Sequence, residues 1–173
     1  TEAQKKEMKE EDNKKWEEVA KTGLLKNDPI LQDIVYSMRR ALSDSIEGLT
    51  VNLSSIGITT GDYSEKGKLI IDEEKLREAI QNSPYKVAEL FTKKSEISYS
   101  EATTTELRQK RYSVEGLASR ISDILDDNIR TIGGKGKLLE RAGIPGDATE
   151  FDNMLYDQIK DYNEDIDALI KKL

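Results

Sequence analysis

Apolar residues spaced three and four positions apart recur in three long stretches of this 173-residue chain, and this spacing constrains the fold more than any other feature. The stretches span residues 30–46, 114–132 and 155–173. Such spacing places the apolar side chains on one face of an α-helix. Prolines occur only at positions 29, 84 and 145, so long helices are sterically allowed between them. The sequence therefore predicts a mainly α fold, an elongated helical bundle or coiled-coil domain with one small β-hairpin.

Capping residues and turn signals set the expected boundaries of the elements. Asp28-Pro29 and Asp72 are typical helix starts. The predicted helices span about 3–21, 29–47, 73–82, 84–91, 107–132, 137–142 and 148–173, and the predicted hairpin spans 53–71. Residues 92–106 are rich in hydroxyl groups and lack periodicity, which favours a flexible insertion. We expect one domain over residues 1–173, cut from a longer protein, because the chain opens without Met and ends within a helical pattern.

The last predicted helix carries the most regular pattern. A capping box of Asp147 and Glu150 is expected to begin it. Apolar residues then alternate four and three positions apart, at Leu155, Ile159, Tyr162, Ile166, Leu169 and Leu173. A 3.5-residue repeat is typical of a coiled-coil seam or of the edge helix of a bundle. We call these six residues the C-terminal stripe and expect them to pack against a partner.

Trp16 is the single Trp of the chain and lies in a segment rich in Glu and Lys. A packing anchor within the domain is the simpler interpretation. An anchor between subunits is the alternative, because large aromatic side chains contribute strongly to protein interfaces. Trp16 is therefore the candidate anchor residue.

The absence of Cys and His excludes much of enzyme chemistry. Disulfides, thiolate zinc sites and Cys nucleophiles all need Cys, and His is the commonest general base and transition-metal ligand. The net charge of 27 − 34 = −7 disfavours binding to nucleic acid or to an anionic membrane. No apolar run reaches the roughly 18 residues of a membrane span. We expect no enzymatic activity, no cofactor, no metal site, no nucleic-acid partner and no membrane insertion.

Three motifs that could carry chemistry do not match their templates. The run Gly133-Gly-Lys-Gly-Lys lacks both the first Gly and the final Ser or Thr of a phosphate-binding loop. The acidic clusters at 126–128 and 161–167 lack the spacing of a calcium loop. Asp62 has no second acid placed to form a catalytic pair, and no Gly-x-Ser-x-Gly nucleophile motif is present. We interpret these motifs as a helix–helix turn, solvated helix faces and a structural turn.

Residues 53–92 carry a more specific signature. The strings Leu53-Ser-Ser-Ile-Gly-Ile-Thr-Thr-Gly-Asp-Tyr and Gly67-Lys-Leu-Ile-Ile-Asp-Glu-Glu-Lys-Leu-Arg-Glu-Ala-Ile precede Val87-Ala-Glu-Leu-Phe-Thr. Together with Gly116-Leu-Ala-Ser-Arg-Ile, the segment around Trp16 and the closing heptads, this pattern resembles the C-terminal region of the flagellar filament-capping proteins, the type 2 hook-associated proteins. The resemblance covers nearly the whole chain, although the polar segment at 93–106 is longer than the family pattern needs.

The resemblance implies a helical leg domain of a structural cap at the distal end of the bacterial flagellum. Members of the family retain exported flagellin and promote its polymerisation into the filament. The implied partners are flagellin and further copies of the full-length protein, arranged as a ring for which a pentamer is one candidate stoichiometry. The implied location is extracellular, at the flagellar tip, reached by export through the flagellar channel. Some members are also described as adhesins.

Two other functions fit the composition. A generic helical adaptor or scaffold would show the same heptads and mixed charges, and the hairpin at 53–71 is the feature that separates it from the capping family. A secreted adhesin would need exposed aromatic residues gathered in a groove, whereas the seven Tyr residues are scattered along the chain.

Overall fold

The computed structural model describes residue 6 and residues 9–61, 65 and 67–172, with residues 20–24 described by their backbone alone. The chain forms two compact units, Thr1–Val35 and Tyr36–Leu173, where the sequence predicts a single domain.

Helices dominate both units, and one two-stranded sheet is present among the described residues. The α-helices are α1 Glu10–Leu24, α2 Pro29–Ser43, α3 Glu73–Asn82, α4 Pro84–Thr92, α5 Thr105–Val114, α6 Leu117–Ile129, α7 Lys137–Ala142 and α8 Met154–Ile170. Short 3-10 helices span Ser54–Ile56 and Ala148–Phe151, and the strands are β1 Ile58–Thr60 and β2 Leu69–Ile71. The predicted mainly α class with one small hairpin is confirmed.

The first unit contains α1 and the beginning of α2. The Asp28 carboxylate accepts hydrogen bonds from the backbone N–H groups of Ile30 at 3.0 Å and Leu31 at 3.1 Å, so it caps α2 as the sequence predicts. Part of the predicted helix at 3–21 lies outside the described residues, and α1 runs on to Leu24.

The core of the second unit lies where the end of α2, the first 3-10 helix, α4 and α6 meet. Its buried members are Ile46, Leu53, Ile56, Val87, Leu90 and Leu117. Leu76 and Ala79 of α3 pack against this cluster from one side. The amphipathic spacing of the sequence thus buries residues of several short helices around one apolar centre.

The hairpin occupies a shorter range than the predicted 53–71. Strands β1 and β2 pair antiparallel, with Ile58 opposite Ile71 and Thr60 opposite Leu69. The first residues of the predicted range instead form a 3-10 turn that buries Leu53 and Ile56 in the core. The hairpin is followed by Asp72, whose carboxylate accepts from the backbone N–H of Lys75 at 3.1 Å and caps α3.

The predicted helix at 107–132 is two helices, and the continuous prediction was wrong. Helix α5 ends at Val114, Glu115 and Gly116 adopt extended backbone angles, and α6 begins at Leu117. The Gly116 N–H donates to the carbonyl oxygen of Lys93 at 2.8 Å instead of continuing the helix. This contact places α6 against the C-terminal end of α4.

Residues 92–106, predicted to be a flexible insertion, pack against α5 and α6. Ala102 is 2% exposed, and its carbonyl oxygen accepts from Arg108 Nε at 3.0 Å. The Tyr99 hydroxyl donates to the Asp127 carboxylate at 2.6 Å, and Arg111 donates to the carbonyl oxygen of Ile97. Side chains of α5 and α6, distant in sequence, therefore hold a segment that has no regular pattern of its own.

Two further helix ends differ from the prediction. Helix α2 ends at Ser43 rather than 47, because the carbonyl groups of Asp44 and Ser45 accept from Arg120. In the predicted helix at 148–173, Asp147 caps the 3-10 helix Ala148–Phe151, and α8 begins only at Met154.

Candidate partner-packing surface

Asn153 connects the 3-10 helix to the first turn of α8. Its side-chain amide is 6% exposed and donates to the carbonyl oxygens of Thr149 at 2.9 Å and Glu150 at 2.8 Å. Its side-chain oxygen accepts from the Tyr156 N–H at 2.9 Å and so caps α8. One buried side chain thereby fixes the direction in which α8 leaves the turn.

Two further contacts hold the start of α8. Lys135 donates to the backbone carbonyl oxygen of Asp152 at 2.7 Å and also to its carboxylate. The rings of Phe151 and Tyr156 meet edge to face, with centroids 5.4 Å apart. The first turn of α8 is therefore anchored by polar and aromatic contacts.

The C-terminal stripe lies on the exposed surface of α8. Every described residue from Met154 to Lys172 is exposed. The five described stripe residues have exposed fractions of 38% for Leu155, 59% for Ile159, 67% for Tyr162, 52% for Ile166 and 62% for Leu169. Leu173 lies outside the described residues. A contiguous exposed apolar face of this kind is typical of an interaction surface.

The residue types along the stripe suit a helical partner. Ile159 and Ile166 occupy one heptad position, while Leu155, Tyr162 and Leu169 occupy the other. β-Branched residues at one seam position with Leu at the other favour two-stranded coiled coils. Ile170, 62% exposed, widens the apolar face beside this seam.

The rest of α8 is acidic. Helix α8 carries five carboxylates, Asp157, Asp161, Glu164, Asp165 and Asp167, against Lys160, which gives 1 − 5 = −4. Most of these charges lie away from the stripe in the heptad. The surface therefore combines an apolar seam with an anionic surround.

Trp16 lies on α1 in the first unit and is 66% exposed. Val19, one helical turn further on, is 64% exposed. The described residues thus leave most of the Trp16 side chain exposed. Its role as an intersubunit anchor stays a prediction.

Sequence reasoning missed Arg120, a buried and extensively bonded charged side chain of the second unit. Arg120 is 1% exposed and donates to the carbonyl oxygens of Asp44, Ser45 and Tyr112, each at 2.9 Å. Its guanidinium also lies 4.3 Å from the centroid of the Tyr112 ring. The sequence did offer a signal for this buried residue, because Arg120 is a charged residue within the apolar stretch at 114–132.

Neither a metal centre nor a membrane helix is found in the part of the chain that the structure describes. Acidic side chains do not gather there in groups of three or more that could hold a metal ion. None of the described helices combines the length and apolar character needed to cross a bilayer. Because it exposes a continuous row of apolar residues, the face of α8 is the best candidate for a functional site among the described residues.

Comparisons with known proteins place the chain in a family. Residues 1–173 match the family described as flagellar hook-associated protein 2 C-terminus. The flagellar hook-associated protein 2 of Halalkalibacterium halodurans is 34% identical over 139 residues, which cover 76% of this chain and 26% of that protein. The protein of the same name from Thermotoga maritima is 35% identical over 97 residues, or 53% of this chain and 15% of that protein.

The chain thus spans about a quarter or less of the length of these curated relatives. No solved structure matches it significantly. Because the family match extends over every residue, the chain belongs to the flagellar hook-associated protein 2 family and corresponds to its C-terminal region.

Proposed function

We propose that this chain is the leg region of a structural cap at the distal end of the bacterial flagellum, which retains exported flagellin and promotes its polymerisation. The observation that carries the proposal is an anchored helix with an exposed apolar seam, α8, in a member of the flagellar hook-associated protein 2 family. The proposed partners are flagellin and further copies of the full-length protein, in a ring for which a pentamer is one candidate.

In this proposal the C-terminal stripe packs in a coiled coil of the leg. Burial of one Ile or Leu side chain contributes roughly 1.5–3 kcal/mol, so the stripe residues together would supply the main apolar stabilisation of such a pairing. The net charge of −4 on α8 favours a partner helix with Lys or Arg beside its own apolar seam. The role is one of assembly rather than catalysis, and the proposed location is extracellular.

The double change Ile159→Asp with Ile166→Asp is expected to abolish capping. Both side chains are more than half exposed, so the fold of the chain itself should change little. Two carboxylates in the seam would oppose its burial, since an unpaired charge in an apolar interface is strongly unfavourable. The measurement is filament length and unpolymerised flagellin in the medium of a strain that lacks the full-length gene and carries either the intact or the changed gene.

Lys160→Gln with Ala168→Asp is the matched control. It makes the same charge change of −2 on the polar side of α8, so filaments should form normally. Normal filaments with both double variants would show that the stripe is not the partner surface. Normal polymerisation in the strain without the gene would instead overturn the capping function itself and favour the generic scaffold.

The observed hairpin at 58–71 and the family match favour the cap over a generic helical adaptor. The adhesin alternative rests on the resemblance alone.

A further inference from the structure

A carboxyl group is buried at the junction between α5 and α6. Glu115 is 1% exposed, and its Oε1 atom lies 2.8 Å from Nη2 of Arg111. The same guanidinium binds the Asp123 carboxylate with two hydrogen bonds, from Nε at 2.6 Å and from Nη2 at 3.0 Å. Two carboxyl groups therefore share one guanidinium in a site largely closed to water.

Two guanidinium groups and a second carboxylate surround Glu115. Arg111 faces it from α5, and Asp123 and Arg120 face it from α6, while the backbone N–H of Ser95 in the loop lies near it. Arg120 donates its hydrogen bonds to carbonyl groups at the ends of α2 and α5. Oε2 of Glu115 is buried without a hydrogen-bond partner. A proton on Glu115 would supply a hydrogen-bond donor to Asp123.

Burial, and next the neighbouring Asp123 carboxylate, raise the pKa of Glu115 from its ordinary 4.5 to about 7. The group therefore changes charge near neutral pH within the fold but near pH 4.5 when it is exposed. The contribution of Glu115 to stability is complete below its unfolded pKa and is lost as the pH rises through its folded pKa.

The same cluster fastens the loop between α4 and α5. Arg111 uses its remaining nitrogen, Nη1, to donate to the carbonyl oxygen of Ile97. The backbone N–H of Ser95, also in this loop, lies near Glu115. Any movement of Glu115 towards water therefore disturbs Arg111, whose contact with Ile97 holds this part of the loop.

We propose that Glu115, Arg111 and Asp123 form a pH-responsive latch that closes the loop at 93–104 when Glu115 is protonated and loosens it when Glu115 is ionised. In acid, neutral Glu115 donates to Asp123, and Arg111 is balanced by Asp123 alone. In mild alkali, Glu115 is ionised and turns to solvent, which removes the second negative charge from the buried site. Arg111 then follows one carboxylate or the other, and the Ile97 carbonyl loses its donor.

The test is amide hydrogen exchange of the loop in the 173-residue chain, corrected for the intrinsic pH dependence of exchange. With a shift from 4.5 to about 7, the opening equilibrium should increase roughly thirtyfold between about pH 5.5 and about pH 8.5. In Glu115→Gln the opening equilibrium of the loop should change less than about twofold over the same pH range. Glu96→Gln removes an exposed carboxylate from the same loop and should behave like the unchanged chain.

Two further measurements cover the case in which Glu115→Gln does not fold. Asp123→Asn removes the second cause of the raised pKa of Glu115 and leaves Arg111 to neutralise Glu115 alone, so the pH dependence of loop opening should become weaker. Carbon-13 NMR of the unchanged chain should show the Glu115 carboxyl titrating near pH 7. A loop whose opening is independent of pH, or a thirtyfold change that persists in either variant, overturns the latch. A Glu115 carboxyl that titrates near its ordinary value has the same consequence.

Discussion

Replacement of Arg120 with Met is expected to lower the free energy of unfolding of the second unit by about 3–5 kcal/mol. The guanidinium donates to Asp44 and Ser45 just beyond the end of α2 and to Tyr112 near the end of α5. Each is a hydrogen bond from a charged donor, and the positive charge also suits the negative ends of both helices. The Met side chain has a broadly similar length but leaves these three carbonyl oxygens without their hydrogen-bond donor.

Lys at position 120 should recover little of this loss. Its single ammonium group cannot reproduce the planar fork that reaches two helices at once. Burial already lowers the pKa of Arg120, and the ordinary pKa of Lys, about 10.4, leaves a smaller margin before the charge is lost.

Arg77→Met is the control for loss of an exposed guanidinium. Arg77 pairs with Glu73 at 3.7 Å on the surface of α3, and its loss should change stability by less than about 0.5 kcal/mol. The measurement is urea unfolding followed by far-UV circular dichroism, because the single Trp lies in the first unit. If Arg120→Met lowered the free energy of unfolding as little as Arg77→Met, Arg120 would not stabilise the ends of α2 and α5 as argued.

Local signals predicted those elements whose ends depend on nearby residues. Helix α4 begins at Pro84, and α7 spans the predicted 137–142. The start of α3 follows from Asp72, which caps it through a contact three residues away. For α3 and α4 the side chain or ring that sets the start of the helix lies within one turn of it, so that boundary is visible in the sequence.

The break at Glu115 could not be predicted from periodicity. Val114, Leu117 and Ile121 keep helical spacing across it, so the apolar pattern continues where the helix does not. What stops the helix is the approach of Lys93, whose carbonyl accepts from Gly116. That residue is 23 positions away in sequence, a separation at which local patterns carry no information.

The prediction of a flexible insertion at 92–106 differs from the packed segment in the structure for a related reason. Its Ser- and Thr-rich composition is typical of a solvated segment. Its order comes from Arg108, Arg111 and Asp127, which lie on α5 and α6. A polar loop becomes ordered when charged side chains from elsewhere in the sequence form hydrogen bonds with its backbone groups.

The C-terminal stripe was predicted from heptad spacing alone. The structure places its five described members on the exposed surface of α8. Its role in binding a partner stays a prediction, because heptad spacing defines the face of a helix and not the molecule that covers it.

Gly116→Ala is expected to lower the free energy of unfolding by about 2–3 kcal/mol. Gly116 has φ −70°, so Ala meets no backbone strain there. A Cβ atom at this position would, however, lie 2.8 Å from the backbone carbon and oxygen of Phe91 and from the nitrogen of Lys93. Backbone atoms cannot turn aside as side chains do, so α6 must move from α4 and take Leu117 out of the core.

Gly146→Ala separates this steric effect from backbone strain. Gly146 has φ 85°, and a Cβ atom added there would have no neighbouring atom within 4 Å. Ala at this position should therefore cost about 1 kcal/mol from its left-handed conformation alone. Urea unfolding should rank Gly116→Ala as the more damaging change, although its backbone angles are the more ordinary. The opposite ranking would mean that α6 can shift from α4 at little cost, and that the N–H contact to Lys93, rather than close approach, sets the junction.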